Sequence, residues 1–110
     1  MQWYRRHAAV HFAQRVQYFS TRLAVAAPRV RLSNARTRWG SCNAAGEVRL
    51  NWRLMQAAGP VIDYVAAHEV AHLKVPSHST RFWRTVERLY PDYEAAKAEL
   101  AAMSQHLMAL

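Results

Sequence analysis

His68-Glu69-Val70-Ala71-His72 sets two imidazoles four residues apart, with a carboxylate directly after the first. On a helix four residues make slightly more than one turn, so both rings project from one face about one turn apart. Two nitrogens spaced in this way can reach one tetrahedral zinc ion at about 2.1 Å. Glu69 falls roughly a quarter turn aside, which makes it a poor third ligand. It could instead take a proton from a metal-bound water whose pKa the ion draws towards about 7, and pass that proton to a leaving amine. The pattern HExxH arises by chance in roughly one or two per hundred chains of this composition. The competing reading is a pair of core histidines hydrogen-bonded to Glu69.

A catalytic zinc ion needs a third protein ligand and one open position. His78 follows His72 after five intervening residues, and Pro76 among them forces the chain off the helix, so that it can turn back under the metal. Glu87 is the rival third ligand, with Glu94, Glu99 and His106 behind it. Cys42 as a thiolate could occupy the open position in a latent form, or be a small buried residue at a turn. Trp39 and Trp83 could line a pocket near the metal, although all four tryptophans fit a core. Tyr93 could donate its phenol to a developing oxyanion, or simply pack.

These residues need elements to hold them. Phe12, Val16, Phe19 and Leu23 recur at helical spacing and predict a helix over about Trp3 to Ala26, stopped by Pro28. Beside this stripe runs a second one, His11, Arg15, Tyr18 and Arg22, basic and aromatic together. Val30 to Ser33 reads as a strand. Arg36 to Cys42 and Glu47 to Trp52 read as a hairpin about Asn43-Ala44-Ala45-Gly46. In its second arm Val48, Leu50 and Trp52 should face the core, with Arg49, Asn51 and Arg53 facing out.

Gly59-Pro60 opens the next helix, to about Lys74. Val61, Ile62, Val65, Ala66, Ala67, Val70, Ala71 and Leu73 surround it on nearly every side, which predicts burial. Yet the same helix carries His68, Glu69 and His72, groups that a buried helix excludes unless they have partners. That conflict marks the helix as the functional one. Ser77 or Ser79 should cap a following helix with Phe82, Val86 and Leu89 inward. After Pro91, Tyr93, Ala96, Leu100, Met103 and Leu107 predict a last packing helix. Arg36 or Arg38 is expected to pair with Asp63.

The 110 residues and their apolar content suit a single α+β domain over the whole chain. Residues 1–53 carry ten arginines and one acid, a net of +9, whereas residues 54–110 are close to neutral at −1. This asymmetry suggests a polyanionic partner such as nucleic acid, or a compositional bias in a chain with 13 Arg, two Lys and 20 Ala. The single cysteine excludes a disulfide framework and points to a reducing, cytoplasmic setting. No uncharged stretch, Leu54 to Ile62 included, is long enough to span a bilayer. Residues 1–20 contain no apolar signal core.

Several further motifs occur in a fixed order: Arg38-Trp39-Gly40-Ser41-Cys42, Leu50-Asn51-Trp52-Arg53-Leu54, Ile62-Asp63-Tyr64-Val65, the HExxH run with Leu73, His78-Ser79 with Phe82-Trp83, and Pro91-Asp92-Tyr93. Together they resemble the YgjP-like metallopeptidase domain, a zincin related to SprT and Spartan-type proteases, over about residues 30 to 100. The resemblance implies a zincin-like fold, one Zn²⁺ held by His68, His72 and His78, and Glu69 as acid–base. Many members have Asn where this chain has Ser77, and most have a further strand region before the first helix. Spartan-type relatives act on proteins attached to DNA, which gives the basic half a meaning by analogy.

The expectation is therefore a zincin-like α+β domain: an N-terminal helix, a small three-stranded sheet with a hairpin, a buried active-site helix and two C-terminal packing helices. The expected activity is zinc-dependent endopeptidase, with an exposed edge strand holding an extended peptide. The alternatives are a nucleic-acid-associated module with structural zinc, and an inactive scaffold. No membrane partner is expected.

Overall fold

A stripe of Ala8, Phe12, Val16, Phe19 and Leu23 runs buried along α1 (Gln2–Leu23) in the computed structural model, which describes residues 2–110. Each large apolar side chain so buried stabilises the fold by about 1.5–3 kcal/mol relative to exposure. The helix ends three residues before the expected Ala26. Ala24 adopts the left-handed conformation at φ 59°, and the Val25 N–H closes on the Ser20 carbonyl at 3.0 Å, so a local cap ends the helix ahead of Pro28.

The sheet contains β1 (Val30–Ser33), β2 (Gly40–Cys42) and β3 (Val48–Asn51) in the order β1-β3-β2. β2 and β3 form the expected antiparallel hairpin, with Ser41 opposite Arg49. Its turn closes through the Asn43 side chain, which accepts from the Ala45 and Glu47 amides at 3.0 Å, and through Gly46 at φ 81°, where glycine carries no steric penalty. β1 lies parallel to β3, pairing Val30 with Val48 through Ser33 with Asn51.

The expected outward face of β3 holds only at Arg49. Asn51 and Arg53 are buried, because the strand gives way after Asn51 to a 3₁₀ turn, Trp52–Gln56, that breaks the alternation. The Asn51 side chain caps that turn through the Arg53 N–H and donates to the carbonyls of Ala35 and Arg38 at 2.6 and 3.2 Å. Its own amide donates to the Trp39 carbonyl at 2.8 Å. One asparagine thus ties down the loop that leads into β2. Arg53, 1% exposed, stacks on Trp52 and donates to the Leu110 backbone oxygen.

Pro60 sits in the first turn of α2 (Gly59–Ala71), whose apolar residues are buried as expected. Asp63 pairs with Arg15 of α1, at 2.6 and 3.3 Å, and not with Arg36 or Arg38. Docking α1 along α2 brings Arg15 to that carboxylate, while Arg36 donates to the Met108 and Leu110 backbone oxygens. Ser79 caps α3 (Thr80–Leu89) by accepting from the Phe82 N–H, and α4 (Tyr93–Met108) buries Ala96, Leu100 and Leu107. The result is the expected α+β architecture of four helices and a three-stranded sheet.

The basic first half is partly spent inside the fold. Arg15, Arg36 and Arg53 hold elements together, and Arg31 and Arg49 share Glu47. The expected nucleic-acid partner gains no support from this placement. Trp3 is 68% exposed, so the expectation of four core tryptophans fails there. Among the described residues, no helix is long and apolar enough to cross a membrane.

Candidate active site

α2 carries His68 and Glu69 in its last turn, and His72 is its C-cap residue. His72, Leu73 and Lys74 form a hydrogen-bonded turn, and Val75 closes on the Ala71 carbonyl at 2.9 Å before Pro76 turns the chain away. Ser79 then starts α3, so His78 stands where the chain reverses, held between a helix stop and a helix cap. The reversal brings His78 Nε2 to 2.9 Å from His72 Nε2. One ring nitrogen from each of His68, His72 and His78 lies within 4.8 Å of the others.

These donors fit a tetrahedral metal. An ion at about 2.05 Å from two imidazoles holds their nitrogens about 3.3 Å apart, a few tenths from the 2.9 Å between His72 and His78. The outer contacts also favour ligation. His72 Nδ1 faces the Val75 carbonyl at 3.2 Å, which fixes the tautomer with a free lone pair on Nε2. Tyr64, one turn before His68, places its hydroxyl 3.4 Å from His68 Nδ1. Burial, reinforced by the neighbouring His72 and His78, pulls the His68 pKa down to about 4 and leaves the ring neutral.

α3 supplies an aromatic wall behind the imidazoles. Phe82 stacks on His72 at 4.4 Å and meets His68 edge-on at 5.0 Å. Trp83 stacks on His78 at 6.0 Å and on Tyr93 at 5.7 Å, with the Lys97 ammonium 4.2 Å from its ring centre. Trp83 is therefore near the cluster as expected, whereas the Trp39 indole donates to Ser104. Tyr93 stacks within this wall and its hydroxyl donates to Glu94 at 3.3 Å. Glu87, Glu94, Glu99 and His106 are exposed and stand outside the imidazole cluster.

Glu69 is 5% exposed and makes no hydrogen bond among the described residues. Its carboxylate lies against Gly40, where a Cβ would stand 2.9 Å from Oε2. Burial raises its pKa to about 7, opposed by the nearby Arg38 guanidinium. Glu69, His68, His72 and His78 line a cleft of about 660 Å³ whose other wall comes from Arg38, Gly40 and the β2–β3 hairpin. Cys42 belongs to that wall. It is half-buried, outside the imidazole cluster, and its thiol pKa is raised by burial and by Glu69.

Sequence reasoning missed Tyr64, Gly40 and Arg38 as parts of this site. Tyr64 was legible, since i and i+4 positions meet on a helix. The other two are not local to the histidines, and no spacing rule connects them.

A family model described as YgjP-like, metallopeptidase domain matches residues 1–103. The crystal structure of the metallopeptidase zymogen of Pyrococcus abyssi abylysin is similar with TM-score 0.72, covering 86% of this chain and 93% of that one at 24% identity. The metallopeptidase zymogen of Methanocaldococcus jannaschii jannalysin gives TM-score 0.69, covering 86% and 95% at 16% identity. At these identities the likeness is one of fold. No curated protein gives a significant match.

Proposed function

The chain belongs to the YgjP-like metallopeptidase family, and from that premise we propose that it is a zinc-dependent endopeptidase with His68, His72 and His78 as metal ligands and Glu69 as general acid–base. One observation carries the reading: a buried carboxylate without a protein hydrogen-bond partner opens into the same cleft as three converging imidazoles. Buried polar groups are ordinarily satisfied within the fold. A carboxylate left open beside a donor cluster is available to substrate and water.

When bound, zinc supplies Lewis-acid polarisation of a peptide carbonyl and a more acidic water. The protein's own groups do the rest. Glu69 accepts the proton of the attacking water and delivers it to the departing amide nitrogen, so one carboxyl group acts first as base and then as acid. Val75 and Tyr64 orient two of the imidazoles through their second nitrogens. β2 is a sheet edge beside the cleft, and its free backbone groups suit an extended peptide added as a further strand.

Two variants test the assignment. Glu69→Gln should lower turnover of a quenched fluorogenic peptide by about 10²–10⁴-fold while elemental analysis still finds zinc. His78→Ala should lose most of the metal. Cleavage at the wild-type rate by Glu69→Gln would remove its acid–base role, and full zinc in His78→Ala would place the third ligand elsewhere.

A further inference from the structure

β2 pairs with β3 on one side and borders the cleft on the other. Alternation along the strand sets Gly40 and Cys42 towards Glu69 and Ser41 on the opposite face. Ser41 is the register partner of Arg49, and Arg49 of Arg31, so a row Arg31–Arg49–Ser41 crosses the outer face of the sheet. A groove of about 420 Å³ follows the end of that row. It contains Arg38, Glu47 and Arg49, and shares Arg38, Ser41, Cys42 and Asn43 with the catalytic cleft.

Charge in this groove is unbalanced. Glu47 is its single carboxylate and is already divided between Arg31 at 2.8 Å and Arg49 at 3.4 Å. The Arg38 side chain is exposed, and its guanidinium makes no hydrogen bond or ion pair among the described residues. A guanidinium that bears on Glu69 through charge but is paired with no carboxylate stands open beside the cleft and is suited to a carboxylate arriving with a ligand.

We propose that the strand-side rim of the cleft is an acidic-side-chain subsite, in which Arg38 and Arg49 select peptides carrying Asp or Glu beside Ser41. The proposal rests on the endopeptidase reading and names its substrate class. A strand added to β2 would stand about 4.8 Å from it and so about 9.6 Å from β3. An arginine and a glutamate side chain together span that gap, and Ser41 is small enough not to block it. Lysine or arginine at the same peptide position meets like charge and is rejected.

The test uses three fluorescein-labelled decapeptides that differ only in four central residues, all Glu, all Gln or all Lys. Binding is read by anisotropy on the zinc-loaded Glu69→Gln protein, which keeps the peptides intact. The Glu peptide should bind about three- to tenfold tighter than the Gln peptide, and the margin should shrink as salt is raised. Arg38→Glu should turn the preference towards the Lys peptide. Arg88→Glu makes the same change in net charge on exposed α3, outside the cleft, and should leave the preference in place.

Equal binding of the Glu and Gln peptides, or of none of them, would overturn the subsite. So would an Arg88→Glu effect as large as that of Arg38→Glu, which would assign the preference to overall charge. Wild-type cleavage of the same peptides is scored separately. Cleavage without charge preference ends the subsite alone, whereas charge-selective binding without cleavage ends the endopeptidase reading alone.

Discussion

Replacing Gly40 by alanine asks whether the Glu69 carboxylate must stand where β2 leaves room for it. The added Cβ would lie 2.9 Å from Glu69 Oε2, 3.0 Å from Glu69 Cγ and 3.1 Å from Leu50 Cδ2. Carbon contacts are comfortable at about 3.5–4.0 Å, so something must give by roughly half an ångström or more. Leu50 is fully buried on the central strand and cannot retreat. Glu69 has open cleft on its far side, so the carboxylate is the group that moves. Overpacking of this kind costs about 1–3 kcal/mol, and the open side favours the lower end. Thermal unfolding should show a Tm lower by about 4–8 °C per kcal/mol lost. A displacement approaching 1 Å in a reacting group costs up to about 100-fold in rate, so kcat on a fluorogenic peptide should fall by tens of fold. The zinc content should stay near one per chain, since no imidazole is touched. Glu69→Ala removes Oε2 and Cγ together, so the stability cost of Gly40→Ala should shrink by more than half in that background. A kcat unchanged by Gly40→Ala would refute the link between this contact and catalysis. An undiminished stability loss in the Glu69→Ala background would assign the strain to Leu50.

Tyr64→Phe removes the hydroxyl 3.4 Å from His68 Nδ1. Contacts of this type are worth about 10- to 100-fold in metal affinity, and the long distance places the expected loss near tenfold in a competitive zinc titration. Unchanged affinity would mean that packing alone orients His68. Arg15→Met breaks a two-point pair with Asp63 whose partners are each about a quarter exposed. After allowing for screening, the loss should be about 1 kcal/mol in urea unfolding, smaller at high salt, and an effect within error would make the pair decorative. Cys42 should alkylate more slowly in the folded than in the unfolded protein near neutral pH, because burial and then Glu69 raise its pKa and deplete the thiolate. The linked stability is present below the ordinary thiol range and is lost as pH rises through the raised folded value. Equal alkylation rates in the two states would contradict the raised pKa.

What could be read in advance was what is local. The histidine spacing, Pro60 in the first turn of α2, Pro76 after the turn that follows α2, and Ser79 as the cap of α3 all act within one or two helical turns, and they bring His78 back towards His72. The core stripes of α1 and α2 were equally plain, since burial follows the 3.6-residue period. Long-range choices were not. Asp63 had ten arginines to choose from in the first half of the chain, and the docking of α1 on α2, which no count reveals, selected Arg15. Alternation failed at Arg53, because a period of two holds only while the strand lasts, and at Asn51, the last strand residue, because its side chain holds the loop before β2 and caps the 3₁₀ turn.

Asn51 shows how those long-range choices reach the chemistry. Its backbone and side chain hold Trp39, Ala35 and Arg38 by their carbonyls, so it sets the path of the loop that delivers Arg38 and Gly40 to the cleft. Arg38 then bears on Glu69 by charge and Gly40 by the space it leaves. The imidazoles belong to α2 and the turn after it, and their placement follows from local signals. The setting of the carboxylate belongs to the sheet. A defect at Asn51 should therefore disturb Glu69 before it disturbs the three histidines, because Arg38 and Gly40 bear on the carboxylate, whereas the rings are set by α2 and the turn after it.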